Sequence, residues 1–385
     1  MIIRIKYVVL AFAFLFFVKV NSQNRANIDS LSLLISKAKE DSSKVNLLFK
    51  LGNQYSFDSA KDRIGNFIMA IELAKKIKYT NGYKKIYKPL ISSLFYKEML
   101  NISYKYCLEY SDFCEQQKLT EEKFLIYNML GNLLTKMGKY DEAFTYFNKK
   151  RQYDLEKEDY RSYASSLNNM SVLHMENNRY DSALAYSLWA VEIFKRNNMS
   201  PEMANSVLQV AEAYLKKQDL EKAGEKADQA LTLFTVVNYK PGMCSSLYIL
   251  ASVYSGMNKP DSAFKLYSKA LLFADSINLV KMQRNCYKGL SEMYLNLKNY
   301  KDAYEYSILA ERYEDSIDVN LHKGKILEYE VNYTVIKNEN ALKEKEFESR
   351  SKSSAQSFLF TTIGGFIILM SVTYRAFIRR KSKSS

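Results

Sequence analysis

Between residues 30 and 316 apolar positions recur at helical spacing, and the pattern itself recurs every 40 residues. Leu130, Met170, Val210, Leu250 and Leu290 mark the first helix of each unit. Ala143, Ala183, Ala223, Ala263 and Ala303 hold one column in the helix that follows. Tyr140, Tyr180, Leu220, Pro260 and Tyr300 open that second helix. Ala190, Ala230, Ala270 and Ala310 form a fourth column, broken by Lys150 in the first unit. Several columns at one period identify internal repetition. The small residues sit where two helices cross closely, since a larger side chain would push the axes apart. Tyr214, Tyr254 and Tyr294 lie one turn after the large aliphatic of the first helix and fill the same inner face. Asp141, Asp181 and Asp261 are expected as N-caps of the second helices. A helix pair of this kind cannot bury its apolar face alone, so the units stack into a solenoid.

Five units run from near Glu121 to near Asp315. Two divergent units are expected before them. LGNQYSF (51–57) opens one, with AIELAKK (70–76) in its second helix, and the other spans Tyr83 to Lys118. Residues 317–355 leave the repeat. They are rich in Glu and Lys and lack Pro, and Leu327, Val331, Val335 and Leu342 keep helical spacing. A coiled-coil stalk and a single solvated helix capping the solenoid both fit.

The two ends are uncharged apolar runs beside basic residues. MIIRIK, a 12-residue run from Tyr7 to Val18 and a short polar exit have the form of a secretory signal peptide. Phe358 to Tyr374 is an uncharged 17-residue run followed by RRKSK, which reads as a transmembrane helix with its C-terminal side in the cytoplasm. Ser357, Thr361 and Gly365 give it a small-residue face. The resulting layout is a signal peptide (1–22), a solenoid (23–316, clearest over 121–316), a charged helical stalk (317–356), a span (357–378) and a basic tail (379–385). It implies a single-pass membrane protein with a periplasmic ectodomain. Stalk and span would also offer a homodimer contact.

Composition agrees with an all-α chain. The 385 residues include only 12 Gly and 4 Pro, too few for a β-sandwich or barrel with many tight turns. The net charge of +14 is misleading. Eight basic residues and no acids lie in the two ends, so residues 23–356 carry 48 basic and 42 acidic side chains, or +6. Without a dense basic block, nucleic acid is not expected as a partner.

The large-small-x-x-Tyr of the first helix and the Tyr-Asp-x-Ala opening the second resemble the tetratricopeptide repeat. LGNLLTKMGKYDEAFTYF (130–147) and LASVYSGMNKPDSAFKLYSKA (250–270) show it best. The resemblance implies a right-handed superhelical solenoid of antiparallel helix pairs, acting as a binding scaffold. The family's usual unit has 34 residues, and the additional six here are expected to lengthen the helices. The order of signal peptide, repeats, charged helix and span resembles the sensor half of bacterial histidine kinases and LuxR-type regulators with such repeats. No output domain is matched, so no kinase activity is implied.

The sequence carries little catalytic chemistry. His174 occupies the column of Tyr214, Tyr254 and Tyr294 and reads as a core residue, while His322 stands alone on the stalk. Two isolated His make no zinc site. Cys107 and Cys114 lie seven apart on one helix, too far for a disulfide. Cys244 and Cys286 sit on first helices of adjacent repeats, where a bridge is geometrically open. No glycine-rich phosphate loop or nucleophile motif is present, so neither an enzyme nor a cofactor is expected.

The remaining functional surface is the concave groove lined by first helices, where the resemblance implies an extended peptide or protein partner. Asn128, Asn132 and Asn169 match amide positions that grip a peptide backbone in chaperone-binding members. Asn205 and Gln209 stand where those members carry Lys and Arg, so a clamp for a terminal carboxylate is incomplete. Glu212 completes the candidate groove set. The expected function is a non-enzymatic, membrane-anchored interaction scaffold. The alternative is a sensor or regulatory subunit of a two-component or LuxR-type system.

Overall fold

The computed structural model describes residues 25–56, 59–319, 321 and 324–331. The signal peptide, the span, the tail, His322 and most of the stalk lie outside the described residues. The chain divides into two units, residues 1–327 and 328–385. In the second, residues 328–331 are helical.

Among its described residues the first unit is helical throughout, with no strand. After α1 (residues 25–37) come α2 (Ser42–Gln54), α3 (Ala60–Lys76), α4 (Thr80–Tyr96), α5 (Leu100–Gln116) and α6 (Thr120–Lys136). Then follow α7 (Tyr140–Glu156), α8 (Tyr160–Glu176), α9 (Tyr180–Arg196), α10 (Ser200–Lys216) and α11 (Leu220–Val236). The last are α12 (Lys240–Gly256), α13 (Pro260–Ser276), α14 (Val280–Asn296) and α15 (residues 300–319). From α3 to α14 every helix has 17 residues, and three-residue connectors join them. The additional six residues of the 40-residue unit therefore extend both helices.

The connectors share one conformation. The second residue after each helix has positive φ, at every twentieth position from Lys78 to Lys298. Gly138 is at φ 73°, and five of the others are Asn. The turn is closed by two backbone bonds of the Schellman type. In the α6–α7 connector Gly138 N–H donates to Thr135 at 3.0 Å and Lys139 N–H to Leu134 at 2.8 Å. Restarting the helix two residues later corrects the expected capping. Asp141, Asp181 and Asp261 lie inside the first turn, after uncapped Lys139, Arg179 and Lys259. There their charge favours the positive helix end without closing a cap. Side-chain caps come from Asp41, Asp159 and Asp219.

The core follows the alanine column. Ala143, Ala183, Ala223 and Ala263 are fully buried and Ala303 nearly so. Each faces a small residue twelve positions earlier, Gly131, Ser171, Ala211, Ala251 or Ser291. Ser171 Oγ donates to the Ala183 carbonyl and Ser291 Oγ to that of Ala303, both at 2.8 Å. At Gly131 a Cβ would lie 2.4 Å from the buried Phe147 ring, so this crossing needs glycine. Tyr140 and Tyr180 are half-buried, whereas Tyr300 in the last unit is exposed. Superhelical winding brings distant repeats together. Lys281, in the first turn of α14, lies 2.9 Å from Glu98 in the α4–α5 connector, and Lys136 lies 3.9 Å from the same carboxylate.

The localisation expected from the sequence is overturned. No helix among the described residues is long and apolar enough to cross a membrane. The apolar runs on which that expectation rested, and the residues expected to form a homodimer contact through the span, lie outside the described residues. The bridge left open between Cys244 and Cys286 is also absent. Both are free buried thiols, and Cys244 Sγ contacts the Ala270 carbonyl at 3.1 Å.

Lys150 breaks the alanine column without leaving the core. It is buried and ion-paired with Asp154 one turn on, which also accepts from Ser166 Oγ at 3.0 Å. Burial raises the Asp154 carboxyl, against the opposing pull of Lys150. The next two repeats hold Ala190 with Phe194 and Ala230 with Phe234 at the same positions. Lys150→Ala alone strands a buried carboxyl and is expected to cost about 3 kcal/mol. Lys150→Ala with Asp154→Phe rebuilds the neighbouring pattern and should return stability to within about 1 kcal/mol of wild type. Urea-unfolding midpoints check both, and a double variant as unstable as the single one contradicts the assignment.

Candidate functional site

Curvature places the first helices of each repeat on the inside. α6, α8, α10 and α12 each pack on the next first helix, and among α7, α9, α11 and α13 none packs comparably on the next of them. Side chains one turn apart on these helices, and off the contact with the second helix, line the concave face.

The expected groove residues divide into two groups. Asn169 Nδ2 on α8 donates to Asn128 Oδ1 on α6 at 2.6 Å, so these amides hold each other across the repeat boundary. Asn132 is half-buried one turn beyond Asn128, and Asn205 is exposed. Gln209 and Glu212 are half-buried on α10, and Gln209 Oε1 is enclosed without a hydrogen-bond partner. Burial pushes the Glu212 carboxyl upward. Glu176 acts in the same direction and Lys216 against it.

Two residues on the same set of first helices were not singled out from sequence. Asn168 Oδ1 on α8 is enclosed and unpartnered. Tyr248 on α12 is half-buried, its hydroxyl raised by burial, with Glu292 and Glu212 near enough to add to the effect. The 40-residue period is the signal that finds Asn168, since it is the equivalent of Asn128. Tyr248 occupies the same position one and two repeats beyond Leu208 and Asn168, a column with no common chemistry.

Two clefts lie off this face. One of about 560 Å³ is lined by Lys75, Tyr79, Tyr83, Glu109, Phe113 and Gln117 among others. Lys75 Nζ lies 2.8 Å from Glu109 and 3.1 Å from Glu72, and Lys78 and Asp112 also line the cleft. Tyr87 also donates to Glu109, at 3.2 Å. The other, of about 280 Å³, contains His174, Tyr140, Asp141, Arg179 and Tyr186. His174 is buried, stacked on Tyr186 with centroids 5.2 Å apart and edge-on to Phe144 at 6.0 Å. Its Nδ1 has no partner. Among the described residues no group of His, Cys, Asp and Glu could hold a metal ion. Burial pushes the Cys244 thiol to about 11 and Cys286 to about 12, which leaves neither as a thiolate nucleophile near neutral pH.

The tetratricopeptide repeat model matches residues 122–196 and 202–274, the stretch that runs from α6 to α13. Among curated proteins none matches the chain in sequence. Several solved structures share the fold. The apo quorum sensor NprR from B. thuringiensis has a TM-score of 0.59 at 15% identity, over 78% of this chain and 84% of that one. Aspartyl phosphate phosphatase F from Bacillus subtilis has 0.59 at 14%, over 70% and 71%. The Rap conjugation gene regulator of plasmid pLS20, in complex with the Phr* peptide, has 0.54 at 14%, over 74% and 82%. At these identities the likeness is one of fold.

His174 gives a pH signature. Burial, reinforced by Arg179, lowers its pKa below the ordinary histidine value near 6.5. The unfolded chain then binds the proton more readily, so stability is retained above about pH 6.5 and lost as the pH falls through that value. His174→Tyr restores the residue type of the other repeats and should remove this component. The melting temperature of wild type should fall further between pH 7 and pH 5 than that of the variant; parallel curves would contradict the assignment.

Proposed function

We propose that the protein is a non-catalytic receptor for an extended peptide or protein segment, bound along the concave face from α6 to α12. The observation that carries this reading is a row of amide side chains at the same level of successive first helices. Asn128 and Asn169 are fixed by their mutual bond, and Asn132 projects one turn away. Amides pair with both the N–H and C=O of an extended backbone, whatever its side chains, so a fixed row suits a chain laid across the helices. A rigid row also costs little ordering on binding. The fold neighbours point the same way, since one of them is described with a peptide bound.

Each groove hydrogen bond contributes about 0.5–1.5 kcal/mol. Asn132→Ala combined with Asn169→Ala should therefore weaken peptide retention by roughly tenfold. The measurement uses the immobilised full chain and a fluorescent pool of randomised decapeptides. Equal retention by wild type and the double variant would remove the groove from the account.

A further inference from the structure

The amide pair between α6 and α8 has an equivalent one repeat further on, but its hydrogen bonding is unfinished. Forty residues after Asn128 and Asn169 stand Asn168 on α8 and Gln209 on α10. Both side-chain oxygens are enclosed and neither has a hydrogen-bond partner. Gln209 and Glu212 are three residues apart on α10 and so share a face. Glu212 is half-buried. No described residue lies within hydrogen-bonding or ion-pair distance of its carboxylate, Lys216 included. Glu176 on α8 raises the Glu212 carboxyl and Glu212 in turn raises the Tyr248 hydroxyl on α12, both through charge.

On adjacent helices this strip presents two enclosed amide oxygens and a half-buried carboxylate, none of them with a partner. A desolvated carboxylate without a partner is unfavourable, and so is an enclosed amide oxygen. An incoming carboxylate would leave the two amide oxygens unsatisfied and would be repelled by the Glu212 charge. A guanidinium carries five donors and no acceptor, and an ammonium carries three. Either would satisfy the amide oxygens and pair with the carboxylate through charge-assisted bonds. We propose that Asn168, Gln209 and Glu212 form a subsite for a cationic group of the bound segment, with Glu212 as its counter-ion. The inference rests on the groove reading above and reverses the charge preference of a carboxylate clamp.

The test uses two pools of decapeptides, N-acetylated and C-amidated, randomised over uncharged residues except at one fixed position. That position is arginine in one pool and its neutral isostere citrulline in the other. The immobilised full chain should retain the arginine pool about tenfold more strongly. Glu212→Gln should abolish the difference, while Glu225→Gln, on the exposed surface of α11, should keep it. Glu212→Gln also removes an unpaired half-buried charge, so its melting temperature should be no lower than that of wild type. Equal retention of both pools by wild type would overturn the cationic subsite and leave the groove reading standing. Retention of neither pool would overturn both. An arginine preference that survives Glu212→Gln would overturn the role of this residue.

Discussion

The solenoid depends on one contact repeated five times, the close crossing of a first and a second helix at small residues twelve positions apart. Gly131 against Ala143 and Ser171 against Ala183 set the pattern, and Ser171 Oγ reaches the Ala183 carbonyl itself. Backbones this close leave no room for a larger side chain, so the column is constrained by volume. Bulk is supplied beside the crossing by Phe147 and Tyr267, and further along the second helices by Phe194 and Phe234, packed with Ala190 and Ala230. Because the crossing recurs with the same geometry, each repeat is rotated by nearly the same amount from the last. Curvature follows from that rotation, and curvature creates the inner face.

The inner face is therefore a by-product of packing that function can use. Its residues lie on rigid helices, at depths fixed by the core beneath them. Where the core tolerates variation, the groove acquires individual character. The Asn128–Asn169 bond fixes one level, and the enclosed oxygens of Asn168 and Gln209 leave the next open to a donor. Leu208 and Ile249 make the following level apolar. Contacts from Lys281 and Lys136 to Glu98 draw the early and late repeats towards each other around this surface.

The repeat, its period and the burial of its alanine column could be read from the sequence, because volume constraints leave the same residue type at the same interval. His174 could be placed in the core for the same reason, by its column and not by its chemistry. The connector geometry was hidden. Positive φ at every twentieth residue is met by Lys, Glu, Gln, Asn and once by Gly, so no single residue type marks it. The misplaced caps followed from this, since the connector decides where each helix restarts. Lys150 could be read only as a break in the alanine column, because its partner Asp154 is recognisable only once both are seen facing inward. Asn128, Asn132 and Asn169 were expected to act together in a groove, but that Asn128 and Asn169 bond each other depended on side-chain geometry across a repeat boundary. The membrane reading rested on terminal runs and drew nothing from the repeats.

The central claim is that the partner lies on the first helices. Benzoylphenylalanine placed at Asn132 or Ser252, on first helices, and at Glu225 or Lys265, on second helices, tests it directly with a biotinylated pool of randomised decapeptides. Photocrosslinked peptide recovered from positions 132 and 252, with none from 225 and 265, is the predicted result. Crosslinks confined to the second helices would contradict the account.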